Sequence, residues 1–436
     1  MRRNTYYLHL RRMKTGGGKF LSALFFCLIA ICFLQGQSTF YVSGKYLLDP
    51  CGDTVLLRGI NYAPYNWGYD QSSEETVEIE KTGANCVRLV WYADGSAPYY
   101  TNENLDSVLA RCAERRMIPV LELHDQTCQN DSAQLVSLAD WYTGPDVAAI
   151  LQKHQAYLIV NIANEVLYHR WAAVPSAAVN SYINTYSTIV NRLRNGGLNF
   201  PLMIDAPDCG TDISLIGSVA AALQNADPKH NLMFSAHAYW YSYAQNDSLQ
   251  MAALLSAASA LNFPVILGEV ANYQDDANPC QYGLNYRALF HLCETFQMPW
   301  ICWGWSHDNC TARQLSTNGQ FGSLSAYGNE VVNHPDYGLK NKAVRSYYML
   351  YNQQCLSTGV LDYRQEEGFV VSPVASGSLT IQSTMADVQR ITITDMAGRV
   401  VRSCVLPPDE TTIVALPSGI YLIASENKKV IRKVVY

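Results

Sequence analysis

Apolar positions along this chain come in short unbroken blocks, each stopping abruptly at polar or aromatic residues, with stretches of helical spacing between the blocks. The blocks lie at 55–61, 86–91, 118–124, 158–164, 202–205, 231–237, 264–269 and 300–303, and helical patterns such as 105–115, 181–194 and 286–294 separate them. Continuous apolar runs of this length predict strands buried on both faces. Strands alternating with helices at this rhythm predict parallel βαβ units. Eight such units over roughly 250 residues or more match the size of a closed (β/α)8 barrel. A doubly wound open sheet is the structural alternative, but no Gly-rich phosphate fingerprint follows the first run.

In a barrel of this kind the chemistry collects at the carboxyl ends of the strands. The runs end in Asn61, Arg88 with Trp91, His124-Asp125, Asn164-Glu165, Asp205, His237 with Tyr239, Glu269, and Trp303 with Trp305. Taken alone, Glu165 reads more readily as a helix-start residue, where an acid suits the positive end of the dipole. Glu269, at the seventh run, supplies a partner. Two facing carboxyl groups can cleave a glycosidic bond, one as proton donor and the other as nucleophile, when they stand about 5–5.5 Å apart. In that scheme Arg88 holds Glu269 ionised, Tyr239 donates to the same carboxylate, and Asn164 bonds the sugar 2-OH. His124 and His237 position these groups or touch substrate. Glu165, kept protonated, is expected to be less solvated than Glu269. Glu122 and Asp205 are rival carboxylates, whereas Asp94, Asp125, Asp208 and Asp308 read as turn residues. A metal held by His124, Asp125 and His237 is the weaker alternative.

Composition narrows the class. A net charge of −6 argues against nucleic acid, which calls for a basic stripe. The 29 Tyr and 8 Trp suit sugar faces, though such rings are also ordinary core residues. Of 13 cysteines, Cys27 and Cys32 fall in an N-terminal apolar run. Cys51, Cys128, Cys209, Cys280, Cys310 and Cys355 sit in loop-like contexts suited to disulfides in an oxidising compartment. Cys86, Cys112, Cys293, Cys302 and Cys404 lie in apolar patterns and read as inert thiols. The absence of CxxC and HExxH leaves a zinc site with weak support.

The organisation expected is a secretory signal peptide over 1–38, with translation starting at Met13, and a catalytic barrel over 39–352. A polar linker over 353–370 and a β-rich module over 371–436 complete the chain. In that module, short runs at 378–382, 390–395, 400–405, 412–416, 420–425 and 429–435 are separated by turn residues, which predicts a small sandwich.

Several of these segments carry a family resemblance. TGANCVRLV (82–90), VLELHD (120–125), VNIANE (160–165), LMIDA (202–206), NADPKHNLMFSAHAY (225–239), ILGE (266–269) and WICWGW (300–305) resemble glycoside hydrolase family 5, most closely its secreted bacterial endo-β-1,4-mannanases. The likeness runs from FYVSGKYLLD (40–49) to YGNEVVNHPDYGL (327–339). It implies a retaining mechanism with Glu165 as acid/base and Glu269 as nucleophile. Arg88, His124, Asn164, His237, Tyr239 and Trp303 would surround them, Trp303 as a platform under the sugar, with no cofactor and no metal. The sequence departs from the mannanase pattern at Val166, where those relatives carry Trp, and at Val270 after the second Glu. The tail segments VSPVASGSLTI (371–381), ITITDMAGRVV (391–401) and LPSGIYLI (416–423) resemble type IX secretion sorting domains, implying export to the cell surface or medium. The expectation is therefore a monomeric secreted endo-glycosidase acting on β-mannan, or secondly on β-glucan. From a different class, a surface glycan-binding protein that has lost turnover is the alternative.

Overall fold

The apolar blocks become the staves of a closed barrel. The computed structural model describes residues 39–65, 75–93, 99–274 and 280–355, and in the tail 369–374, 378–383, 387–395, 399–408, 410–416, 420–425 and 431–435. The expected signal peptide and most of the expected linker lie outside the described residues. The staves are β1 (Arg58–Tyr62), β2 (Cys86–Trp91), β3 (Ile118–Leu123), β4 (Ile159–Asn161), β5 (Leu202–Asp205), β6 (Leu232–His237), β7 (Val265–Val270) and β8 (Trp300–Cys302). All pair in parallel, and β8 closes on β1. Every residue of every stave is buried, which is why the runs are continuously apolar instead of alternating.

Helices cross between the staves, among them Asn102–Glu114, Pro175–Asn195 and Tyr286–Phe296. Their starts are encoded locally. Thr101 accepts from the Asn104 amide and Asp131 from the Ala133 and Gln134 amides, while Pro175 opens its helix where no donor is needed.

The barrel interior is layered. Its lower part is apolar: Val120, Ile159, Met203, Met233, Ile266 and Ile301 pack together with Phe40 and Leu57 beneath them. Each fully buried side chain of this size contributes roughly 1.5–3 kcal/mol. The upper part is polar, and the ladder register creates it. Asn61 pairs with Arg88, Glu122 with Asn161, Asp205 with Ser235, and His237 with Glu269 as neighbours across adjacent strands.

The fourth stave is shorter than expected. Beyond Asn161 the chain leaves regular pairing, although the Ile162 amide still bonds Met203 O at 2.9 Å and the Asn164 amide bonds Leu123 O at 2.9 Å. Glu165 then turns left-handed, with φ 54°. A strand continued to 164 would carry the polar pair along the ladder; the early exit turns it into the barrel mouth.

The six loop cysteines pair as Cys51–Cys355, Cys128–Cys209 and Cys280–Cys310, and the other described cysteines are free thiols. The chain divides into two units, residues 1–355 and 356–436. In the second, β9 (Phe369–Val374), β10 (Ser378–Ser383), β11 (Gln389–Asp395), β12 (Val400–Leu406), β13 (Thr411–Ala415), β14 (Ile420–Ser425) and β15 (Ile431–Val435) form two antiparallel sheets, ordered β9-β10-β13 and β12-β11-β14-β15. Phe369, Leu379 and Ile381 from one sheet share a core with Ile391, Ile393 and Ile423 from the other. Strand β9 has no counterpart among the expected runs because Pro373 interrupts it; an edge strand tolerates the missing donor.

Candidate active site

Arg88 organises the polar layer. Its guanidinium is fully buried and donates through Nε to Asn161 Oδ1 at 2.9 Å, through Nη1 to Asn61 Oδ1 at 3.0 Å and Glu269 Oε1 at 2.9 Å, and through Nη2 to Asn164 Oδ1 at 2.7 Å. Asp205 and Glu122 add their charge at 3.5 and 3.8 Å. Four side-chain acceptors around one planar fork fix its orientation and that of its partners.

Glu269 and Glu165 face each other across this layer. An oxygen of each lies within 4.8 Å of the other, with a His237 ring nitrogen inside the same cluster. His237 Nδ1 stands 2.6 Å from Glu165 Oε1 and 3.4 Å from Glu269 Oε1. Burial holds the His237 pKa below its ordinary value, so the ring is neutral at neutral pH. The 2.6 Å spacing then requires one proton between imidazole and carboxyl, from either side. Close approach of His237 depends on two glycines. A Cβ on Gly210 or Gly268 would come within 3.0 Å of the ring, and Gly210 also sits at φ +73°.

The two glutamates differ in their donors and not in their exposure. Glu165 is 5% exposed and Glu269 3%, so the expectation that Glu165 is the less solvated one does not hold. Glu269 accepts from Arg88 and, at 2.8 Å, from the Tyr239 hydroxyl, whereas Glu165 meets His237. Burial pushes the Glu269 pKa up to about 7, against the pull of His237 and Arg88 and with the added push of the Glu165 charge.

The remaining expected residues are also in the barrel mouth. Asn164 accepts from Arg88 and donates to Thr127 Oγ1 at 3.1 Å, leaving its amide a second N–H for a ligand. His124 turns its Nδ1 to Glu122 Oε1 at 2.9 Å, and that carboxylate outweighs burial to raise the histidine pKa. His124 therefore does not converge with His237 as a metal pair. Trp303 is only 8% exposed, lies roughly parallel to His124 at 6.2 Å, and donates its indole N–H to Asp308 Oδ2 at 2.5 Å. Asp308 also pairs with Arg313 at 2.9 Å, so it is a site anchor and more than a turn residue. Asp208 likewise binds Arg170 Nε at 2.9 Å and caps the amides of His169 and Arg170.

A cavity of about 370 Å³ opens beside Glu165, walled by Trp171, Tyr239, Tyr243, Gln274 and the Cys128–Cys209 disulfide. Trp171 is 53% exposed at its rim.

Comparison with known proteins places this arrangement. Residues 48–309 match the family described as cellulase (glycosyl hydrolase family 5). The chain belongs to glycosyl hydrolase family 5. A relative of this family 5 hydrolase, the mannan endo-1,4-beta-mannosidase of Cellvibrio japonicus, is 31% identical over 344 residues, covering 78% of this chain and 75% of that one. The crystal structure of a beta-mannanase from Streptomyces thermolilacinus superposes with a TM-score of 0.62 at 26% identity, covering 71% of this chain and 99% of that one. An endoglucanase catalytic domain from Thermobifida fusca shares the fold, with a TM-score of 0.51 at 20% identity over 67% of this chain and 95% of that one. Residues 373–436 of the family 5 chain match the secretion system C-terminal sorting domain.

Three residues of the site stand outside the strand-end pattern. Asn161, which bonds both Arg88 and Asp205 Oδ1, hides inside an apolar run, where a lone amide is the available signal. Tyr243 and Gln274 sit on loops without any pattern to mark them.

Proposed function

We propose that this family 5 hydrolase is an extracellular retaining endo-β-1,4-mannanase in which Glu269 is the nucleophile and Glu165 the acid/base. The approach of the two carboxyl groups to within 4.8 Å carries the reading, because retention needs a carboxylate that reaches the anomeric carbon directly, without room for an intervening water. Glu269 accepts both a guanidinium N–H and a phenol O–H, two donors that favour its charged form against the push of burial. Those donors fix the carboxylate in place, and attack by its ionised form makes the glycosyl–enzyme bond. Glu165 gives its proton to the departing oxygen, then takes one from the water that hydrolyses the intermediate. The second Asn164 N–H is placed to bond a sugar hydroxyl. Mannan is preferred to β-glucan because the relatives named for mannan match the chain at higher identity and with larger structural overlap than the endoglucanase.

The N-terminal segment serves as a signal peptide and the C-terminal unit as a type IX sorting domain, in keeping with three disulfides that require an oxidising compartment. Reducing-sugar release from galactomannan, glucomannan, carboxymethylcellulose and xylan tests the substrate. Activity on mannans, abolished in Glu269→Ala and indifferent to chelators, is expected. Preference for carboxymethylcellulose would overturn the mannan assignment, and a first product of inverted anomeric configuration would overturn the mechanism. Binding to mannan with no sugar release would leave a glycan-binding protein.

A further inference from the structure

The Glu165 loop is unusual in how little regular structure supports it. It runs between two flanking loops, one after β3 and one after β5, and all three contain left-handed residues that are not glycine. Glu165 has φ 54°, Leu167 71°, Cys128 56°, Asp208 58° and Cys209 51°. Such backbone persists only where its surroundings over-determine it. Here the surroundings are identifiable. The Leu167 amide bonds Gln129 O at 2.8 Å on one flank, and Leu167 O accepts from the Asp208 amide at 2.9 Å on the other. The Glu165 amide reaches Asp205 Oδ2 at 3.2 Å. The Tyr168 hydroxyl bonds Cys128 O at 2.8 Å. A covalent bridge then crosses from flank to flank, since Cys128 and Cys209 are joined. Its sulfur rests against the acid itself: Cys128 Sγ lies 3.4 Å from Glu165 Oε2. A disulfide sulfur carries no proton, so this is a packing contact and not a hydrogen bond. It fixes one side of the carboxyl by van der Waals contact. The same two cysteines line the cavity beside Glu165.

We propose that the Cys128–Cys209 disulfide is a positioning element for the Glu165 carboxyl, so that proton delivery to the leaving group depends on it while the attack by Glu269 does not. The inference rests on the acid/base assignment of Glu165. Neither of the other disulfides has this relation to Glu165: Cys280–Cys310 links the loops after β7 and β8, and Cys51–Cys355 links the ends of the barrel unit.

Leaving-group chemistry separates positioning from mere stability. A sugar leaving group needs the proton, whereas a dinitrophenolate departs without it. The full chain and its Cys128→Ala/Cys209→Ala double variant are compared by kcat/KM on galactomannan and on a dinitrophenyl β-manno-oligosaccharide, beside Glu165→Ala and Cys51→Ala/Cys355→Ala. A displacement of the acid on the ångström scale costs on the order of 10²-fold. The Cys128/Cys209 variant is expected to lose between about 10- and 100-fold on galactomannan and less than about threefold on the aryl glycoside. Glu165→Ala should show the same split more strongly, and Cys51→Ala/Cys355→Ala should lower Tm without any split. Wild-type chain reduced in its folded state, with the alkylated cysteines assigned by mass, gives the same comparison without depending on the variant's folding. Equal losses on both substrates, or no loss on either, while Glu165→Ala retains its split, overturn the positioning role. Absence of the split in Glu165→Ala itself overturns the acid/base assignment instead.

Discussion

Arg88 and Glu269 lie three strands apart around the barrel, yet Nη1 meets Oε1 at 2.9 Å. The contact crosses the barrel interior, as do those of Arg88 with Asn161 and Asn164, while Asn61 holds it from the adjacent strand. Arg88→Lys keeps the charge but replaces five donors in a rigid fork by three on a flexible stem. Asn61, Asn161 and Asn164 then lose their common partner. Disrupting a buried, hydrogen-bonded charge network costs about 3–5 kcal/mol, so a marked drop in Tm and a loss of mannan hydrolysis of 10²-fold or more, on the order given by 1.36 kcal/mol per decade, are expected. Thermal melting and initial rates check both.

Tyr239→Phe removes the hydroxyl that donates to Glu269 Oε2 and keeps the ring. A hydrogen bond to a charged group contributes about 1.5–3 kcal/mol, so kcat/KM should fall roughly 10- to 100-fold with Tm little changed. Losing a donor to the charged form also moves the acidic limb of the pH profile upward. A limb that moves down would contradict the role given to this phenol.

Glu269 carries a stability cost that depends on pH. Its folded pKa, about 7, lies above the ordinary 4.5, so the folded state binds this proton more tightly than the unfolded chain does. The resulting stabilisation is fully present below about pH 4.5 and is lost as pH rises through about 7. Above that range the charged carboxylate costs at most about 3–4 kcal/mol, at roughly 1.36 kcal/mol for each factor of ten in proton affinity. Glu269→Gln, inactive, should therefore melt higher than wild type at pH 8, with the margin shrinking toward pH 4.5. Melting curves at the two pH values decide it.

Trp171 stands at the rim of the cavity beside Glu165, its ring edge-on to Tyr168 at 5.5 Å and under the Arg170 guanidinium at 5.8 Å. A ring that contributes about 1.4 kcal/mol to stacking a sugar would, once removed, raise KM about tenfold. Trp171→Ala should do that on polymeric mannan with kcat nearly unchanged.

Much of this site is legible in the sequence because burial and chemistry use different residue types. At Asn164-Glu165 and at Glu269 an apolar run of the sequence ends in a carboxylate, and that junction shows before any contact is known. Asn161 is hidden for the converse reason: it lies within the apolar run, and the ladder register alone turns it toward Arg88 and Asp205. The cysteines sort into loop and core classes by pattern, since apolar surroundings mark a buried thiol. Their pairing does not follow, because six cysteines admit 15 connectivities and spacing does not say which loops meet. The relative solvation of the two glutamates departs from expectation because hydrogen-bond donors, and not burial, distinguish them.

The Cys51–Cys355 bridge joins residues 304 positions apart, and its second cysteine is the last residue of the barrel unit. Topologically the catalytic unit is a covalent ring with a tail attached at the clasp. A single peptide-bond cut anywhere between the two cysteines leaves one molecule of unchanged mass on a non-reducing gel. A cut after residue 355 sheds the sorting unit and leaves the ring closed. Cuts on the two sides of residue 355 thus leave opposite signatures, and a catalytic unit nicked once inside the ring keeps both ends of its barrel together.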